Sequence, residues 1–148
     1  MDGLLKAYVK VPVGAKIDSH YANRPKRIGV TIAYGSDISE EALNLVGSIV
    51  SFRTEWIVSG DKTAFVTCEL IVSESSDRVI NIRRDRLVIP TPFHLTLGWV
   101  IGASPVLSGY ECAAFWSSMA DRECLPPSVQ FESIVSGTIE FQSFEVKT

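Results

Sequence analysis

The sequence has few of the residues that most enzymes and metalloproteins depend on. It contains two histidines and three cysteines, none at CxxC or HxxxH spacing, so a zinc site is not expected. It also lacks a GxSxG elbow, a glycine-rich phosphate loop, an HExxH motif and a DxDxDG motif. His94 alternates with apolar neighbours and is predicted to be a hydrogen-bonded structural histidine, whereas His20 lies in a polar loop. We therefore expect a binding protein with no catalytic residues, metal or cofactor.

Long apolar runs are missing as well. No stretch of about 18 apolar residues occurs, and the first residues lack a basic segment followed by an apolar one, so neither a membrane span nor a secretory signal is predicted. The thiols of Cys68, Cys112 and Cys124 are accordingly expected to be reduced and structural. With 148 residues, of which 46% are hydrophobic and 21% charged, the chain is predicted to form one domain over residues 1–148.

Charge is unevenly distributed along the chain, although the net charge is only −3. Residues 1–30 carry six basic and two acidic side chains, a net charge of +4, and residues 87–148 carry two basic and six acidic side chains, a net charge of −4. Such an asymmetric chain can present one basic face to a polyanion and an acidic face elsewhere. A solvated N-terminal segment is the alternative interpretation.

Hydrophobic periodicity predicts two helices among many strands. Ser39 is a good N-cap, and apolar residues then recur at three- and four-residue spacing, which predicts a helix over about 39–53. A second helix is predicted over about 109–121, because Ser108 and Glu111 have the spacing of a capping box. The remaining pattern predicts strands at 4–13 (an edge strand), 28–34, 55–58, 63–72, 78–89, 93–101, 129–131 and 138–146. The fold class is therefore α+β, with antiparallel β-sandwich-like sheets and two packed helices.

The best candidates for binding are basic residues near the start of the chain. Lys6, Tyr8 and Lys10 would share one face of a strand, because side chains two apart point the same way. That face could contact phosphates or lipid headgroups. The predicted polyanion-binding set is Lys6, Lys10, Lys16, Arg24, Lys26 and Arg27, with a secondary basic cluster of Arg78, Arg83, Arg84 and Arg86.

Aromatic residues of the second helix are candidates for self-association. Phe115 and Trp116 are adjacent and point about 100° apart on a helix, so one of them could be exposed as an interface anchor. Tyr110 belongs to the same group, and core packing is the alternative for all three.

The order of the elements resembles the N-terminal domain of matrix proteins from non-segmented negative-strand RNA viruses. The resemblance rests on the helix start at 39–52, the Gly-Tyr-Glu-Cys-Ala-Ala-Phe-Trp segment at 109–116, the Leu-Pro-Pro turn within 125–131 and the strand at 138–141. It covers roughly residues 28–146 and concerns pattern and order. The length is similar to that of the single-domain matrix protein of bornaviruses.

The resemblance implies a viral matrix-type structural protein that self-assembles beneath the envelope. Such a protein would contact an anionic membrane surface and the viral ribonucleoprotein or RNA, and would be found in the virion and at the inner membrane face of the host cell cytoplasm. The chain departs from the family in being acidic overall, and it has no late-domain motif and no N-terminal myristoylation signal. Three alternatives remain open: a small inhibitor or immunity-type protein that uses the acidic half at 87–148, an RNA-binding silencing-suppressor-like protein, and an enzyme of unrecognised type.

Overall fold

The computed structural model describes residues 3–10, 12, 14–35, 38–71, 79, 93–118 and 126–143. Within these residues the chain forms seven strands and two helices. In chain order the elements are β1 (Gly3–Val9), β2 (Ile28–Gly35), α1 (Glu40–Leu43), β3 (Ile49–Ser59), β4 (Thr63–Leu70), β5 (His94–Trp99), α2 (Leu107–Ser117), β6 (Ser128–Gln130) and β7 (Ile134–Ser143).

All the described strands belong to one antiparallel sheet. Its order is β2-β1-β7-β3-β4-β5, and the short β6 pairs with β3. The two outer strands, β2 and β5, approach each other, and a single bridge between Asn23 and Trp99 joins the segment before β2 to the end of β5. The result is a nearly closed barrel-like sheet. The α+β class predicted from sequence is confirmed, but the described strands form this one curved sheet in place of two facing sheets.

The strand predicted at 4–13 is shorter and more central than expected. It ends at Val9 and lies between β2 and β7, with which it pairs on both sides. The prediction of an edge strand is therefore wrong. Leu5 and Ala7 are buried while Lys6 and Tyr8 are partly exposed. The alternation of apolar and polar residues therefore indicates that one face of β1 is buried, and it does not indicate an unpaired edge.

The helix predicted over 39–53 is the largest error. Its start is right, because the Ser39 hydroxyl accepts a hydrogen bond from the Ala42 N–H at 3.1 Å. The helix ends at Leu43, and Gly47 then adopts a φ of +90°, which strongly favours glycine. From Ile49 the chain pairs with β7. The apolar spacing up to Val50 suited either structure, and pairing with the sheet decided the outcome.

The second helix exists but begins earlier than predicted, at Leu107, and ends at Ser117. The N-cap is Val106, which makes no side-chain capping bond, so the proposed capping box is wrong. Ser108 lies inside the helix and bonds to the Pro105 carbonyl at 2.8 Å. Residues 119–121 of the predicted helix lie outside the described residues.

β4 is buried on both of its faces, which explains its continuous run of buried residues from Thr63 to Cys68. On one face Val66 and Cys68 join the main core inside the sheet. On the other face Phe65 packs with Val58 and with Cys112 and Phe115 of α2. A strand covered on two sides loses the apolar–polar alternation, and this one positions α2 against the outside of the sheet.

The remaining predictions need little correction. The hairpin of β3 and β4 is confirmed, as are strands close to 28–34, 93–101 and 129–131. The last strand begins at Ile134 rather than Thr138. The predicted strand at 78–89 lies outside the described residues apart from Val79, which is buried and helical, so the strand prediction is wrong at that residue. Residues 144–146 lie outside the described residues too.

Candidate polyanion-binding groove

An open groove of about 1140 Å³ lies where β1 ends and β2 and β3 begin. Its apolar lining comes from segments far apart in the chain, including Val9, Ile17, Ile28 and Leu97. Ser136, Gly137 and Thr138 of β7 complete this side. The groove therefore exists only when the whole sheet has formed.

Basic side chains surround this groove. Five of the six residues predicted to bind a polyanion line it: Lys10, Lys16, Arg24, Lys26 and Arg27. No aspartate or glutamate is found among the described residues that line it. All five basic residues are exposed, so the groove gathers positive charge in a protein whose net charge is negative.

The loop between β1 and β2 carries all five of these cations, and it is held against two other segments of the chain. The buried Tyr21 hydroxyl donates a hydrogen bond to the Gly60 carbonyl at 2.6 Å, and burial is the main reason that the pKa of Tyr21 is raised. Asn23 and Trp99 exchange backbone hydrogen bonds of 3.1 Å. Gly98 permits the close approach, because a Cβ there would lie 2.6 Å from Arg24 Nη1 and 2.9 Å from the Asn23 carbonyl. The positions of the charges are thus set by tertiary contacts.

Arg27 differs from the other cations in having partners. Its Nη1 and Nη2 donate to the two carboxylate oxygens of Glu140 at 3.3 and 2.5 Å. Its guanidinium carbon lies 3.8 Å from the centroid of the Tyr8 ring, within the range of a cation–π interaction. The hydrogen bond to Arg27 is the main cause of a lowered pKa for Glu140, and the same bond raises the pKa of Arg27.

Lys6 is the one predicted residue that does not line the groove. It is partly buried on β1, with its Nζ 5.6 Å from the Tyr8 ring centroid. Burial lowers the pKa of its ammonium group, because a low-dielectric environment disfavours the charged form. Lys6 therefore lies beside Tyr8 and outside the lining of the groove.

The other predicted binding residues have different outcomes. Arg78, Arg83, Arg84 and Arg86 lie outside the described residues. Tyr110 is 56% exposed and Phe115 only 2%, so Phe115 is a core residue and its proposed role in self-association is wrong. Trp116 is partly buried against the same cluster, which makes it a packing residue in this conformation.

His94 is part of a hydrogen-bonded chain that joins β5 to α2. Its Nε2 lies 3.2 Å from the Ser108 hydroxyl, and the Thr96 hydroxyl lies 2.6 Å from the same oxygen. Because Ser108 donates its own proton to the Pro105 carbonyl, its oxygen is left to accept from the other two groups. Ser108 is buried and therefore inaccessible to a substrate. This geometry fits the structural role predicted for His94.

Burial also governs the cysteines that the structure describes. Cys68 and Cys112 are buried and form no disulfide with a described cysteine, and burial is the largest cause that raises the pKa of Cys68 to about 12. Across the described part of the chain, His, Cys, Asp and Glu do not gather into a group of three that could hold a metal ion. In the same residues, no helix is long and apolar enough to cross a bilayer.

Sequence reasoning found the charges but missed the groove. The basic residues were recognisable from composition, whereas Lys10, predicted to share a strand face with Tyr8, lies just beyond the end of β1. The apolar lining and the role of Glu140 depend on which distant segments the sheet brings together. Glu140 pairs in register with Lys6 on the neighbouring strand, a contact that no local pattern reports.

Comparison with known proteins gives a similarity in fold. No protein-family model matches the chain, and no curated protein sequence matches it. Among solved structures the chain is similar to a fungal RNA kinase, with a TM-score of 0.60 and 11% sequence identity. The similarity covers 98% of this chain and 46% of that one, so the chain spans less than half the length of that protein. At this identity the similarity shows a shared fold.

Proposed function

We propose that this protein binds single-stranded RNA in the basic groove. The observation that carries the proposal is the convergence of Lys10, Lys16, Arg24, Lys26 and Arg27 on a groove whose described lining has no carboxylate. Lysine and arginine side chains that replace the counterions of a phosphate backbone supply most of the affinity of such complexes. This function is close to the RNA-binding alternative considered from the sequence.

The shape of the site favours a strand over a flat membrane surface. The cations surround a concavity of about 1140 Å³, whereas a bilayer presents its phosphates in a plane. A flexible strand can enter the concavity and place its phosphates against the rim. The partly exposed apolar residues Val9, Ile17 and Ile28 are then available to contact bases, which a duplex would keep inside its own stack.

The similarity in fold to an RNA kinase is compatible with this proposal. That protein is named for RNA as its substrate, and folds of one class host many functions. The groove therefore carries the proposal, and the neighbour adds one example of the same fold in a protein named for RNA as its substrate.

Binding of a labelled single-stranded RNA of about 12 nucleotides, measured by fluorescence anisotropy at several salt concentrations, tests the proposal. Four groove cations have no ion pair with a described carboxylate, and at about 0.7 per phosphate they predict a slope of log affinity against log salt near −3. The double variant Lys10→Gln, Lys26→Gln should reduce the magnitude of the slope by about 1.4.

A control variant separates local from general charge effects. Arg53 and Lys62 are exposed basic residues that do not line the groove. The variant Arg53→Gln, Lys62→Gln removes the same charge and should leave the slope close to that of the wild type. Equal losses in the two double variants, or no RNA binding by the wild type, would contradict the proposal.

A matrix-type assembly protein is a second candidate, and an exposed apolar patch favours it. Ile101, Val106, Leu107 and Tyr110 precede or begin α2 and are exposed, with Ile101 at 82%. Exposed apolar groups of this kind are common in surfaces that contact other proteins. Self-association through this patch, with the basic groove towards anionic lipid, would suit a layer beneath an envelope.

Native mass and liposome binding distinguish the two candidates. The matrix candidate predicts a large oligomer that Tyr110→Ala reduces, together with pelleting on phosphatidylserine vesicles that falls with salt. A protein that stays monomeric at high concentration, binds RNA and does not bind vesicles would support the RNA-binding function and contradict the matrix candidate.

A further inference from the structure

We propose that Arg27 serves as a platform on which a nucleobase stacks, and that it does not bind a phosphate as the other groove cations do. This inference rests on the proposed binding of single-stranded RNA and adds the part of the RNA that is recognised. It follows from the contacts of Arg27 with Glu140 and Tyr8.

The end of the Arg27 guanidinium formed by its two terminal nitrogens is already occupied. Both terminal nitrogens donate to the carboxylate of Glu140, a two-point geometry that an arginine would otherwise offer to a phosphate. The nearby carboxylate also offsets the charge of Arg27. A phosphate at this position would meet Glu140 as a like charge and would have to displace it.

The planar face of Arg27 remains available. The guanidinium carbon lies over the Tyr8 ring, 3.8 Å from its centroid, and the side chain is 58% exposed. Glu140 and Tyr8 together hold the plane in a fixed orientation at the side of the groove. A nucleobase can stack on the outer face, because guanidinium planes and aromatic rings both serve as stacking surfaces for unpaired bases.

The other cations of the groove have no such arrangement. Lys10, Lys16 and Lys26 have no planar group, and Arg24 has neither an aromatic contact nor an ion pair with a described residue. The groove therefore divides into phosphate-binding positions and one base-binding position beside β1. A ligand that lacks bases would use the first kind and not the second.

The test compares Arg27→Lys, which keeps the charge and removes the plane, with the matched variant Arg24→Lys. The probe is a 12-nucleotide single-stranded RNA that carries 2-aminopurine at each position in turn. In the wild type we expect fluorescence quenching at one position, and a loss of at least about 5-fold in affinity when that position is made abasic.

Arg27→Lys should abolish the quenching and lower the affinity for intact RNA by the same factor as the abasic substitution does in the wild type. The salt slope of this variant should be unchanged. The variant should bind the abasic RNA no more weakly than the intact RNA. Arg24→Lys should keep the quenching. A reduction of about 0.7 in the magnitude of the salt slope of Arg27→Gln, as expected for loss of a phosphate contact, would overturn the inference. RNA binding without quenching at any position would overturn it too. In both cases the proposed function stands. Absence of RNA binding by the wild type overturns both.

Discussion

Glu111 of α2 accepts two hydrogen bonds from Thr63, one from the backbone N–H and one from the hydroxyl, both at 2.8 Å. The same carboxylate accepts from the N–H of Lys62. It thereby satisfies backbone donors in the turn between β3 and β4. That turn also contains Gly60, whose carbonyl accepts the hydrogen bond from Tyr21. A carboxylate on the helix therefore supports the loop that carries the groove cations.

Replacement of Glu111 by glutamine should destabilise the protein by about 1–3 kcal/mol, because one acceptor becomes an amide donor that faces N–H groups. Urea unfolding followed by circular dichroism measures this change. Glu132→Gln, in an exposed position, is the matched control and should change stability by less than about 0.5 kcal/mol. Equal stability of the two variants would show that the turn does not need the carboxylate.

Phe115 and Tyr110 should respond in opposite ways to truncation. Phe115→Ala removes a buried ring from the cluster beneath α2 and should cost about 3–5 kcal/mol. Tyr110→Ala removes an exposed ring and should stay within about 0.5 kcal/mol. The same unfolding measurement compares them, and a small loss for Phe115→Ala would mean that α2 is not packed as described.

Gly98→Ala should weaken RNA binding while the fold is retained. The added methyl would lie 2.6 Å from Arg24 Nη1, 2.8 Å from Ile17 Cδ1 and 2.9 Å from the Asn23 carbonyl, so the loop must move away from β5. We expect a several-fold loss of RNA affinity in the anisotropy assay. Ser19→Ala, on the exposed part of the same loop, should bind like the wild type, and unchanged affinity in Gly98→Ala would show that the loop position is unimportant.

Cys68 should resist modification at pH values where an exposed thiol reacts. Its pKa of about 12 leaves very little thiolate at pH 8, and the thiolate is the reactive form. Iodoacetamide labelling followed by peptide mass spectrometry should modify Cys68 far faster in urea than in the native protein. Because the folded state holds this proton more tightly than the unfolded state, the thiol's contribution to stability should fall as the pH rises from about 9 to about 12. Rapid native labelling at pH 8 would contradict the burial.

Sequence patterns predicted those parts of the molecule that local chemistry determines. The N-cap at Ser39, the hairpin between β3 and β4 and the strand at Ile28 each depend on neighbouring residues, and each was found. The segment from Asn44 to Arg53 was misread because its apolar residues fit two periods, and pairing with β7 is a long-range effect. The positive charges were visible in the sequence, whereas their gathering around one groove required the full sheet.

Among the described residues, a single isolated bridge joins the segment before β2 to the end of β5, and this weak connection has a mechanical consequence. Neighbouring strands of the sheet pair through ladders of hydrogen bonds, whereas this connection consists of the backbone hydrogen bonds between Asn23 and Trp99. The sheet can therefore open locally at this point while every pair of strands stays intact. Arg24 adjoins that connection and also lines the groove. An RNA strand bound by Arg24 on one side and by residues of β1 and β7 on the other would hold the two ends of the sheet together. RNA binding should therefore slow deuterium uptake by the amides of Asn23 and Trp99 more than by other amides.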